Sequence, residues 1–139
     1  MSYQLNFERY PEYLHAIVTG TNDQESVKRY LRDIRAECNR LGCFRVLIDE
    51  RLEGPRLAVD DVFTIASEGA MDAMGIFEAI AYVDPHMGQM AGFAETVAVN
   101  RGMPVRFFES VEDARSWLLE QIDKPDGRHI FTGEDDSRN

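Results

Sequence analysis

Apolar and polar positions alternate along this chain in two rhythms, one of strands and one of helices. The runs Leu5 to Arg9 and Tyr13 to Thr19 flank Tyr10-Pro11-Glu12, and read as two extended segments joined by a turn. After Gly20, residues Val27, Tyr30, Leu31, Ile34, Cys38 and Leu41 return at helical spacing, with Asn22 and Glu25 as a capping box and Gly42 as the stop. Phe44 to Ile48 is short and nearly continuous in apolar character, as expected of a central strand covered on both faces.

Beyond Gly54-Pro55, residues Val62, Ile65, Ala66 and Gly69 mark a second helix that Gly75 ends, with Asp60 and Asp61 near the positive end of its dipole. Ala79 to Val83 is the next buried strand, broken by Asp84-Pro85-His86-Met87-Gly88. A third helix then carries Phe93, Ala94, Val97 and Ala98 and closes at Gly102. Val105 to Phe108 forms the last strand. Ser110 and Asp113 cap the helix after it, which turns Ala114, Trp117 and Leu118 inward.

The predicted order is ββαβαβαβα, an α/β domain over residues 1–122. Its mixed sheet has an antiparallel opening hairpin and parallel strands joined by crossover helices packed on the sheet. Residues 123–139, rich in Pro, Gly, Asp, Arg and Ser, read as an acidic, mobile tail. Ligands of such sheets gather beyond the carboxyl ends of parallel strands, where loops are expected to begin at Asp49, Asp84 and Glu109.

Composition narrows the partners. With 139 residues, 44% of them hydrophobic, the chain suits one core of ordinary domain size, roughly 100–150 residues. A net charge of −10 repels phosphate backbones, which argues against nucleic acid and leaves room for a partner protein with a basic surface. Cys38 and Cys43 give neither a disulfide framework nor zinc-site spacing, and Cys38 falls on a helical apolar stripe. The first residues lack a signal-peptide pattern, and no stretch approaches the roughly 20 apolar residues of a membrane span. A soluble, cytoplasmic setting is expected.

Few residues announce chemistry. Asp49 and Glu50 are adjacent, and strand alternation would send them to opposite faces; they can serve a ligand or simply cap a turn with Arg51 or Arg56. His86 beside Asp84 is the best general acid or base at a loop mouth. His15, His86 and His129 share no metal-ligand spacing, and no nucleophile elbow, phosphate loop or dinucleotide fingerprint occurs, so neither metal nor cofactor is expected. Met71, Met74, Met87, Met90 and Met103, with Phe63, Phe77 and Phe93, can line an adaptable apolar pocket or fill a core or dimer contact.

Two local patterns resemble a known family. They are the strand Phe44 to Asp49, ending in an acid, and Val105-Arg106-Phe107-Phe108 followed by Glu112-Asp113-Ala114 and Trp117-Leu118. Together with the element order over roughly residues 5–122, they resemble the STAS/SpoIIAA-like group of anti-sigma-factor antagonists, in its Sec14-related branch. Antagonists of that group are switched by phosphorylation of a serine in an Asp-Ser-x-Gly segment. Ala58-Val59-Asp60-Asp61-Val62 stands at the corresponding place, so the resemblance implies that the usual acceptor is missing.

Three functional expectations follow. The first is a non-catalytic regulatory module that presents residues 49–61 and the following helix to another protein. The second is a binder of a small apolar, lipid-like ligand near Phe63, Met71, Met74, Phe77, Met90 and Phe93. The third is an enzyme in which Asp49, Asp84 and His86 converge. Homodimerisation through an edge strand or exposed aromatic face is also expected.

Overall fold

The computed structural model describes residues 3–54, 57–73, 77–84 and 89–123. The expected order is the one observed: β1 (Tyr3–Arg9), β2 (Leu14–Thr21), α1 (Gln24–Leu41), β3 (Arg45–Glu53), α2 (Val59–Ala73), β4 (Ala79–Val83), α3 (Gln89–Val99), β5 (Val105–Phe108) and α4 (Val111–Asp123). Among the described residues the strands form one sheet in the order β1-β2-β3-β4-β5, with β1 and β2 antiparallel and every later pair parallel.

That order explains the layering. Each crossover moves one strand further in the same direction, and right-handed crossovers then deposit all their helices on the same side. Accordingly α1, α2 and α3 share the first face, over a core that includes Leu14, Val18, Tyr30, Ile34, Ile48 and Ile80, with Ile65 and Met103 packed against it. The second face is left to α4, which buries Ala114 and Leu118 on Leu47, Ala79, Ala81 and Val83. Central strand β3 is therefore covered on both sides, as its apolar run implies.

Helix α1 follows its apolar stripe, burying Val27, Tyr30, Ile34 and Cys38. Its cap lies one residue later than the Asn22/Glu25 pairing suggests. Asp23 is the N-cap and accepts the Ser26 backbone N–H at 2.9 Å. Gly42 ends the helix at φ 67°, a left-handed conformation that glycine enters without a Cβ penalty. At α4 the expected cap is in place, the Asp113 N–H donating to Ser110 Oγ at 3.2 Å.

Strand β3 departs from expectation in length. It does not stop at Ile48 but runs on through Asp49, Glu50, Arg51, Leu52 and Glu53, paired residue by residue with β2 as far as Thr21. Backbone pairing is indifferent to side-chain polarity, so the acidic residues extend the ladder rather than end it. Asp49 and Glu50 thus lie inside the sheet instead of opening a loop.

Candidate functional site

Register decides which side chains meet. Ile48 pairs with Tyr82 and Asp49 with Val83, so Glu50 lies level with Asp84, just past the end of β4. Laterally paired residues point to the same face, and neighbours along a strand to opposite faces. Glu50, Tyr82 and Asp84 therefore look toward the layer of α1, α2 and α3, while Asp49 looks toward α4.

Between that layer and the sheet is a cavity of about 390 Å³. Its walls are mainly aliphatic, with Leu31 from α1, Ile65 from α2, Ala98 from α3, and Ile48, Ile80 and Val105 from the sheet, joined by Met103 and Phe107. Small-molecule sites commonly occupy about 300–1,000 Å³ and combine apolar walls with a few polar groups. Here Glu50, Tyr82 and Asp84 supply polar groups, with Asn22 and Glu53 also on the lining.

Glu50 is 5% exposed and elaborately partnered. The Tyr82 hydroxyl donates to its Oε2 at 2.8 Å, and the Tyr30 hydroxyl donates to the same oxygen while meeting Tyr82. Burial, reinforced by the hydrogen-bonded Asp84 carboxyl, pushes the Glu50 carboxyl up to about 8 despite the tyrosine hydrogen bonds that oppose the rise. Burial also drives the Tyr30 and Tyr82 phenols well above their ordinary value, with Glu50 adding to the effect. At neutral pH, Glu50 is consequently held largely as the protonated acid beside Asp84.

On the opposite face Asp49 is a different acid. Its Oδ2 accepts from Arg51 Nη2 at 2.7 Å and from His15 Nε2 at 3.1 Å. Burial works to raise its carboxyl, but the His15 and Arg51 hydrogen bonds outweigh it and hold the group below the usual range. Among the described residues His15 Nδ1 has no hydrogen-bond partner, and Glu8 Oε1 lies 3.5 Å away across the β1–β2 pairing. This cluster anchors strands β1, β2 and β3 to one another.

The remaining candidates disperse. Asp60 and Asp61 occupy the first turn of α2, where Asp61 accepts from the Gln24 side-chain amide at 2.9 Å. Phe63 and Phe93 are 44% and 38% exposed and do not line the cavity, so the aromatic pocket expected there is not what these residues form. Arg101 instead lies over the Phe63 ring at 5.4 Å. Phe77 is buried in the first-face core and lines a smaller void of about 60 Å³.

Met71 and Met90 fall on α2 and α3 with side chains outside the described residues, and His86 and Met74 lie outside them altogether. Met103 does line the cavity. The expected convergence of Asp49, Asp84 and His86 is corrected at its first member, because strand alternation places Asp49 across the sheet from Asp84.

The tyrosines and His15 were not among the sequence candidates. Tyr30 sits on the apolar stripe of α1 and Tyr82 within an apolar strand, so only their hydroxyl groups hinted at a polar duty. Among the described residues no group of three or more His, Cys, Asp or Glu is arranged to hold a metal ion. No helix among them is long and apolar enough to cross a membrane.

No protein-family profile matches the chain, and no curated protein does. Among solved structures it is similar to an uncharacterised protein of the DUF3478 family from Shewanella loihica PV-4, described as having a SpoIIAA-like fold. That likeness has 22% identity, covers 84% of this chain and 93% of the other, and has a TM-score of 0.49. The cavity and its side chains, rather than this likeness, carry the functional reading.

Proposed function

We propose that this protein is a small-molecule-binding module that holds an apolar ligand with one polar group in the cavity beneath α1, α2 and α3. The observation that carries the reading is the cavity of about 390 Å³ whose aliphatic walls end in Glu50, Tyr82 and Asp84. Burying the Glu50 carboxyl is costly for a structural purpose alone, whereas a ligand's polar head gives it a task.

Native mass spectrometry of gently purified protein tests this, alongside the variant Ala98→Leu, which projects a larger side chain from α3 into the cavity. A reproducible added mass on the wild type, absent from Ala98→Leu, is expected. A clean mass for the wild type, together with no binding of apolar probes in solution, would overturn the reading.

A second reading, docking of another protein on α2, draws on Val59 and Phe63. These residues stand four apart on one helix face, 56% and 44% exposed, next to the acidic Asp60. Loss of a captured partner on charge reversal, Asp60→Lys, is its expected signature.

A further inference from the structure

We infer that the cavity selects a small organic cation, an aliphatic or aromatic amine whose ammonium group docks between the carboxyl groups of Glu50 and Asp84. The inference rests on the reading of the cavity as a ligand site and names the chemistry of its occupant.

Charge complementarity decides among polar heads. The cavity's polar end offers two carboxyl groups side by side, with Glu50 Oε2 already accepting from Tyr82 at 2.8 Å and from Tyr30. No arginine or lysine lines the cavity among the described residues. A carboxylate ligand would meet like charge, and an alcohol would compete with a hydrogen bond that Glu50 and Asp84 already make.

An ammonium group brings donors for two carboxylates and a positive charge in place of the departing proton. The exchange balances: the ammonium binds, one proton leaves Glu50 for the solvent, and the charge at the site is unchanged. The aliphatic walls then take the ligand's carbon chain, and a net charge of −10 favours the approach of cations.

The titratable groups facing Glu50 are Tyr30 on α1 and Tyr82 and Asp84 on and just beyond β4, with Glu53 further along β3 at the cavity lining. Both tyrosines stay protonated through neutral pH, so Glu50 is the group expected to release the proton. Because its carboxyl titrates near 8, amine affinity should climb about tenfold from pH 6 to pH 7 and level off above about 8.

Titration calorimetry with octylamine, octanol and octanoate, in two buffers of different ionisation enthalpy, tests the inference on the whole chain. Octylamine is expected to bind about tenfold tighter than octanol at pH 7, with octanoate weakest. Close to one proton should be released per octylamine bound at pH 7, falling toward none at pH 9. Glu50→Gln should reduce octylamine to the affinity of octanol.

Equal binding of octylamine and octanol, or octylamine binding without proton release by the wild type, would overturn the cation assignment while leaving the ligand cavity standing. Octylamine binding that persists unchanged in Ala98→Leu would place the amine elsewhere and overturn the assignment too. If none of the three probes binds, the cavity reading fails along with it.

Discussion

Asp49 and Glu50 are consecutive residues of β3 that face opposite sides of the sheet and hold opposite protonation states. The first is an ionised acid kept low by His15 and Arg51, the second a protonated acid kept high by burial and Asp84. Their effects on stability therefore run in opposite directions with pH.

For Glu50 the folded carboxyl titrates above its unfolded value of 4.5, near 8. Its contribution to stability is fully present below about pH 4.5 and is lost as pH rises toward and through 8. Glu50→Gln keeps the shape, accepts from the tyrosines and donates toward Asp84 without titrating. Denaturant unfolding should show the variant close to wild type at pH 5 and more stable by about 3–4 kcal/mol at pH 8.5.

For Asp49 the sign reverses. Its folded carboxyl titrates below 3.8, so its contribution is present above that value and lost as pH falls through the depressed one. Asp49→Asn should cost about 2 kcal/mol at pH 7 in chemical denaturation, and the difference should shrink toward pH 2.

Leu118 is fully buried and, with Ala114, is how α4 covers Leu47 and Ala81 on the second face. Leu118→Ala leaves a void that the sheet cannot collapse to fill. A loss of about 3 kcal/mol is expected from urea unfolding, with no change in octylamine binding, because the cavity lies on the other face.

Asp23→Ala removes the acceptor for the Ser26 backbone N–H and hydroxyl at the start of α1. About 1 kcal/mol of stability should be lost at neutral pH. The loss should fade in acid, since the Ser26 backbone hydrogen bond is what chiefly lowers the Asp23 carboxyl.

Most of the fold was legible because it is written in local periodicity. The stripe from Val27 to Leu41, the run Ala79 to Val83 and the Ser110 cap each state their element within a few residues. The end of β3 was not legible, since Glu50 and Glu53 look like a loop until Val18 and Thr21 are seen paired with them. The cap of α1 was missed by one residue because Asn22/Glu25 and Asp23/Ser26 both fit the spacing.

The candidate site was harder to read for a different reason. Tyr30 meets Glu50 and Tyr82, 20 and 52 residues away in the chain, so no local pattern reports the cluster. Phe63 and Phe93 mislead through their size. Buried Val62 beside Phe63, and buried Ala94, Val97 and Ala98 beside Phe93, take the inward positions on α2 and α3 and leave the rings outside. Compact inward residues let a helix approach the sheet closely, whereas bulky ones would hold it away.

The one-directional strand order also shapes how the chain can assemble as it is synthesised. Each new strand finds its neighbour already in place, so the hairpin, α1 and β3 can settle before the later units emerge. The second face has no such schedule. Leu47 and Ala81 stay wet until α4, the last of the described helices, leaves the ribosome and docks, so that one helix decides whether the nascent domain is sticky or sealed.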